Sequence, residues 1–388
     1  MRLDRPQARR LLLLLLLTTG LLLAGCGGDG GTEEGTAADS ADGSSTAAEE
    51  SGEADESGAD GSDEAGDTTA ADDEDQNRDQ DQNRDQDQNR DQDQDQEDEG
   101  DAGTRLVRDA FGEVEVPINP QRLVVMDPGT MLPTLLALDI PVVAAPLPDE
   151  RFPTRLLSDE DLAGIASVGL PEVSFELVAA ADPDMIIGFD LGLEDNYEVL
   201  SEIAPTVAVE LDLNDWRVTA ERIAAAVGPE AEAAMADALA DYDQRVATLR
   251  ADLGDAIDSE VSIVRALGPN VRLHTRFHFA GQVVEDVGFP RPELQRTDDP
   301  ALRHVQISLE QLEDIDGDIL FVFGAGRLGS LGGNEVDETV QAILDHPLFP
   351  GLQVAQNDAV VIVDPLGWQQ GGLPAALLVL EDITAAFP

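Results

Sequence analysis

The chain has 388 residues, with 80 Asp and Glu against 23 Arg and no Lys, for a formal net charge of −57. Such a surface excludes a nucleic-acid partner, because neutralising phosphates needs a basic face, and on solubility grounds it suits a salty or extracellular setting. The single cysteine, Cys26, excludes internal disulfides and a cysteine-based metal site.

Residues 1–26 begin with charge (Arg9, Arg10), continue with the apolar run Leu11 to Leu17 and close on LAGC. The apolar stretch is too short to span a bilayer stably, so the pattern is an export signal. LAGC resembles the lipobox of bacterial lipoproteins. That resemblance implies cleavage before Cys26 and a diacylglyceryl thioether on its sulfur, holding the mature chain on the extracytoplasmic face of the cell membrane. Arg9-Arg10 also fits a twin-arginine export signal, and paired arginines occur in ordinary signals too.

Residues 27–103 carry 29 acids against Arg78, Arg84 and Arg90, with no aromatic residue and almost no large apolar one. Such a segment cannot bury enough surface to fold and reads as a disordered acidic tether. DQNRDQ repeats from Asp75, Asp81 and Asp87, but no apolar position recurs with it to stack a solenoid.

Residues 104–388 alternate short β-branched runs with helical patterns. RLVRDAFGEVEVP reads as a hairpin turning near Ala110 to Gly112. Strands follow at Leu123 to Met126, Pro141 to Ala145, Met185 to Phe189 and Thr206 to Val209, and then at Val261 to Leu267, Val271 to Thr275, Ile319 to Phe323 and Ala359 to Val363. Continuous apolar strands spaced by helices predict parallel sheets covered on both faces, with ligands held outside the carboxyl ends of the strands. Between the two sets lies Pro229 to Leu253, where Ala231, Met235, Ala238, Leu239, Tyr242, Val246, Leu249 and Leu253 recur at steps of three and four. Pro229 suits a first turn and Gly254 a left-handed cap. The predicted fold class is α/β: an N-terminal lobe (104–228), one long backbone α-helix (229–253) and a C-terminal lobe (254–388), with a ligand cleft between two Rossmann-like lobes.

RLVVMDPGTMLPTLLALDIPVVA, SVGLPEVSFELVAAADPDMIIG, FAGQVVEDVGFPRP, ISLEQLEDIDGDILFV and HPLFPGLQVAQNDAVVIVDPLGWQQGGLPA resemble, in order, the signatures of iron-siderophore ABC-transporter substrate-binding proteins. These belong to the helical-backbone class that also includes the cobalamin and haem binders. The resemblance spans nearly all of residues 106–388. It implies a monomeric receptor, not an enzyme and without a cofactor, that passes a ferric chelate to a permease dimer with a cytoplasmic ATPase. By resemblance, Glu176 and Glu310 are the acids that pair with permease arginines; each also suits a first helical turn on electrostatic grounds alone. Arg276 and Arg327 resemble arginines that hold ferric catecholates, and Trp368 resembles a cleft tryptophan. Ordinary ion pairing and packing remain open for all three. Phe189, Tyr197 and Trp216 are candidates to line the first-lobe side, or else core residues.

The sequence departs from the catecholate pattern after its first-lobe strand, where Gly188-Phe189-Asp190-Leu191-Gly192 lacks an arginine, and at Gln369, where a tyrosine often stands. Fewer cations favour a less anionic ligand, such as a ferric hydroxamate or a mixed chelator. Direct metal binding is disfavoured, since His274, His278, His304 and His346 all lie outside the first lobe. No G-x-S-x-G elbow, P-loop or dinucleotide fingerprint supports an enzyme. Cobalamin or haem binding and a binding-only sensory lipoprotein stay open.

Overall fold

The computed structural model describes residues 103–148, 155–324 and 337–387. The export signal, Cys26, the acidic segment and Arg327 lie outside the described residues. No helix among the described residues is long and apolar enough to cross a membrane.

The hairpin forms as predicted, from β1 (Thr104–Arg108) and β2 (Glu113–Pro117). Asp109 closes it: Oδ1 accepts the Phe111 and Gly112 amides at 2.8 and 2.7 Å, and Oδ2 accepts that of Ala208 at 2.9 Å. One carboxylate thus shapes the turn and fastens it to the first lobe.

That lobe is built on β3 (Leu123–Val125), β4 (Val142–Ala145), β5 (Ala166–Ser167), β6 (Met185–Phe189) and β7 (Thr206–Val209). All pair in parallel, in the order β5-β4-β3-β6-β7. Alternation along the strands sends Val125, Ile187 and Val207 to one core and Val124, Ile186 and Ala208 to another. This is why the strands read as unbroken apolar runs.

The second lobe comprises β8 (Val261–Leu267), β9 (Asn270–His274), β10 (His304–Ser308), β11 (Ile319–Phe323) and β12 (Val360–Ile362), in the order β10-β9-β8-β11-β12. Counted from the first strand of each lobe, both sheets run third-second-first-fourth-fifth. The expectation of parallel pairing throughout fails here, because β9 is antiparallel to both β8 and β10. Leu267 pairs with Asn270, so only Gly268 and Pro269 lie between the strands, and Gly268 at φ 75° supplies the positive angle that a two-residue hairpin needs at its first position. A crossover helix has been replaced by a turn. The edge strands β5 and β10 were not predicted. β5 is two residues long, and HVQIS in β10 is largely polar, so neither shows an apolar run.

The backbone helix spans Pro229–Leu253, with Ala231, Met235, Leu239, Tyr242, Val246, Leu249 and Leu253 buried. Its larger side chains each contribute about 2 kcal/mol by leaving water. Gly254 does take a positive φ of 52°, but with ψ −125° it leaves the left-handed helical region, and the chain continues as a 3-10 turn over Gly254–Asp258. Tyr242 meets both lobes. Its hydroxyl donates to Asp286 Oδ2 at 2.9 Å on the second-lobe helix Phe279–Val287, and its ring lies edge-on to Trp216 at 5.1 Å between centroids. Arg217 sits over the Tyr242 ring at 4.7 Å and reaches Asp243 at 2.5 Å and Asp286 at 3.4 Å.

Replacing Tyr242 by Phe keeps the packing but leaves Asp286 short of a donor. It is expected to cost about 2 kcal/mol, read as a lower midpoint in chemical denaturation with an unchanged slope.

Candidate functional site

In doubly wound sheets the ligand crevice opens where the strand order reverses. In the first lobe that point lies between β3 and β6. The loop after β3, Met126 to Thr130, is organised by Asp127, whose Oδ1 accepts the Thr130 and Met131 amides at 2.7 and 2.8 Å. Burial pushes the Asp127 carboxyl above its ordinary value, against the pull of those amides. Thr130 Oγ1 donates to Gln370 O at 3.3 Å, across the seam from the loop after β12. Gly372, at φ 84°, belongs to that loop, and a Cβ there would meet Thr134 Oγ1 at 2.5 Å. The lobes touch closely at this end.

At the other end of the seam the link is Gln282, on helix Phe279–Val287. Its Oε1 accepts the Trp216 amide at 2.9 Å, and its Nε2 donates to Leu213 O in the first lobe at 3.3 Å and to Phe277 O in the second at 3.4 Å. Phe277 O also accepts Arg303 Nε at 3.2 Å. The seam therefore leads directly into a basic cluster.

The β8–β9 hairpin creates that cluster. Its register sets Arg265 opposite Arg272, and β10 sets His304 opposite His274. Alternation places all four side chains on the sheet face shared by Ile263 and Phe323. His278 stacks on His274, with ring centroids 3.6 Å apart. Two arginines directly opposite each other repel and ordinarily destabilise a sheet. Burial, and then Arg272, lower the affinity of Arg265 for its proton. Arg272 Nε is buried without a hydrogen-bond partner, and so is Nδ1 of both histidines. Among the described residues, no carboxylate forms an ion pair with Arg272 or Arg303. Burial first, then Arg303 and its neighbours, push His278 down to about 3, and His274 is likewise lowered by burial, so both imidazoles are neutral at physiological pH.

Beneath the cluster, Arg291 is fully enclosed and donates from Nε to Val261 O at 2.7 Å and from Nη2 to His274 O at 2.8 Å. Burial pushes it down to about 9, which still leaves it charged at neutral pH. In a folded region with 50 acids and 16 arginines, this face has gathered cations and imidazoles. It can accept an anion.

The residues singled out from the sequence and described by the structure fall into four groups. Arg276 adjoins the cluster, but it already pairs with Glu285 at 3.5 Å and Asp298 at 3.7 Å. These are exposed contacts of little strength that an incoming ligand can displace. Phe189 and Trp216 are core residues at the mouth of the first lobe, and Trp216 wedges against Phe279 across the seam at 6.2 Å.

Trp368 and Tyr197 are engaged with partners inside the fold. Trp368 is 0 % exposed, stacked on Phe321 at 4.6 Å, with its Nε1 donating to Asp382 at 2.8 Å, because the short helix Pro365–Gln369 turns its ring inward. The Tyr197 hydroxyl lies 2.9 Å from Asp109 Oδ2 and 3.1 Å from Thr206 O, bracing the hairpin instead. Glu176 is exposed in the first turn of helix Phe175–Ala180, capped by Ser174. Glu310 is exposed in the 3-10 run Leu309–Ile315. Each follows the edge strand at the matching position of its sheet.

Arg265, Arg272 and Arg303 were missed. The signal for the first two was present, because a two-residue Gly-Pro loop makes positions 265 and 272 partners by simple counting.

Residues 134–366 match the family model described as periplasmic binding protein. The chain belongs to the periplasmic binding protein family. This is a family of binding proteins, not of enzymes. Among its relatives, the probable siderophore-binding lipoprotein YfiY of Bacillus subtilis is 32% identical over 292 residues, covering 73% of this chain and 88% of that protein. The petrobactin-binding protein YclQ of the same organism is 27% identical over 282 residues, covering 69% and 83%. Staphylococcus aureus SirA, solved in complex with staphyloferrin B, shares the fold with a TM-score of 0.59 at 23% identity, covering 73% of this chain and 98% of its own.

For this binding protein, Arg272→Met removes like-charge repulsion and one cation of the candidate site together. The ligand-free protein should melt at the same or a higher temperature, while the dissociation constant for an anionic chelate rises about 10- to 100-fold, measured by calorimetry. For Asp127 the sign follows from its raised value. The folded form holds the proton more tightly than the unfolded one, so the wild type loses stability as pH rises through that window. Asp127→Asn keeps an oxygen for both amides, and its stability relative to wild type should be greater at pH 7 than at pH 4.

Proposed function

We propose that this chain is the extracytoplasmic receptor of an ABC importer, lipid-anchored through Cys26, which binds a ferric siderophore between its lobes and delivers it to a permease dimer. The observation that carries this reading is the Arg265–Arg272 pair with Arg303 and neutral His278 at the inter-lobe seam, a basic face on a protein whose surface is otherwise strongly acidic. A charged chelate suits it in two ways. Guanidinium groups direct two hydrogen bonds at one oxyanion, and an anion between Arg265 and Arg272 converts their repulsion into attraction. The relatives named above, by what their names say they bind, support the same class of ligand.

Transfer to the permease rests on Glu176 and Glu310. They occupy equivalent positions in two sheets of the same strand order, so a two-fold permease dimer can meet one acid with each half. Both are solvent-exposed and carry no assigned burden in the core.

Titration of the mature chain against ferric siderophores, haem and cobalamin tests the first part. Saturable binding of at least one ferric chelate is expected, and a response to cobalamin or haem alone would reassign the ligand. Glu176→Ala combined with Glu310→Ala should leave that binding unchanged and abolish co-purification with the permease. Unaltered co-purification would favour a sensory role or another docking surface.

A further inference from the structure

The cleft is electrically one-sided. The cations of the cluster belong to the second lobe, whereas the first-lobe loops after β3, β6 and β7 (residues 126–130, 190–196 and 210–216) contain no Arg, Lys or His, and Arg217, which follows the last of them, already pairs with Asp243 and Asp286. They carry fixed acids. Asp127 is held by its loop amides, Asp190 Oδ1 accepts the Leu211 amide at 3.3 Å, and Asp212 Oδ1 accepts those of Asn214 and Asp215 at 3.0 and 3.1 Å. Beside them Leu191 is 70 % exposed and Leu213 44 % exposed. Gln282 bonds to Leu213 O and to Phe277 O, which in turn receives Arg303, so the leucine-and-acid lip and the basic cluster are neighbours across the seam.

We infer that the ligand is a ferric chelate of mixed donor type, with carboxylate oxygens turned toward Arg272, Arg265 and Arg303 and uncharged hydroxamate arms turned toward Leu191 and Leu213. This rests on the siderophore-receptor reading above and narrows it. A ferric tris-catecholate is a trianion whose charge spreads over every side, so half of it would face Asp190 and Asp212. A ferric tris-hydroxamate is neutral and offers no counter-charge to Arg272 and Arg303, which pair with no carboxylate among the described residues. Only a chelate with its charge on one side satisfies both lobes at once, and it can enter in only one orientation.

The test is calorimetric titration of the mature chain with four probes: a ferric tris-catecholate, a ferric tris-hydroxamate, ferric citrate, and a ferric chelate with two hydroxamates and one hydroxycarboxylate. The mixed chelate should bind about 30-fold or more tightly than either symmetric one. Arg272→Met should bring it down to the level of the tris-hydroxamate, whose own affinity stays the same. The double variant Asp190→Asn, Asp212→Asn retains the loop-capping oxygens and should raise tris-catecholate affinity about 10-fold. Equal or tighter binding of either symmetric chelate by the wild type, or no gain for the catecholate in the double variant, overturns the inference. Failure of all four probes to bind overturns the siderophore-receptor reading instead.

Discussion

Three elements meet at Tyr242, and the relation between the lobes depends on that meeting. Tyr242 carries an edge-on Trp216 from the first lobe and a hydrogen bond to Asp286 from the second, while Arg217 ties the two acids around it. Gln282, one turn before Asp286 on the same helix, adds the amide of Trp216 and the carbonyl of Leu213. A single continuous helix resists sharp bending, which would break hydrogen bonds of its backbone, and here its middle is fastened to both sides. The separation of the lobes is therefore set by contacts centred on the buried Tyr242, where a polar contact is worth more than at the surface.

On this frame the two lobes play unequal parts. The first contributes a fully parallel sheet and loops rich in acids. The second keeps the same strand order but replaces one crossover with a hairpin, and the hairpin puts Arg265 against Arg272. Like charges held together without a bound anion cost stability. Their presence at the seam, over the enclosed Arg291, is what makes this face the candidate for an anionic ligand.

Much of the architecture was legible in the amino-acid sequence because its signals are local. The backbone helix announces itself through its stripe, and β6, β7, β8 and β11 through unbroken apolar runs with matching ends. What could not be read was the pairing direction of β9 and the edge strands β5 and β10, which depend on neighbours far along the chain. The same division governs the site. Glu176 and Glu310, singled out by resemblance, are exposed, whereas Trp368 and Tyr197 bond to Asp382 and Asp109, partners 14 and 88 residues away in sequence. Arg272 and Arg265 were passed over because charged residues inside apparent strands look like solvent-facing ones until the register is known.

The two-residue turn at Gly268-Pro269 has a further consequence for how such a receptor diversifies. With a turn in place of a crossover between β8 and β9, the side chains of the candidate recognition face are spaced by the hydrogen-bonding ladder itself, about 4.8 Å from strand to strand. New ligand preferences can arise by exchanging residues at alternate grid points, with no loop to lengthen or refold. The scaffold stays constant while the chemistry written on it changes.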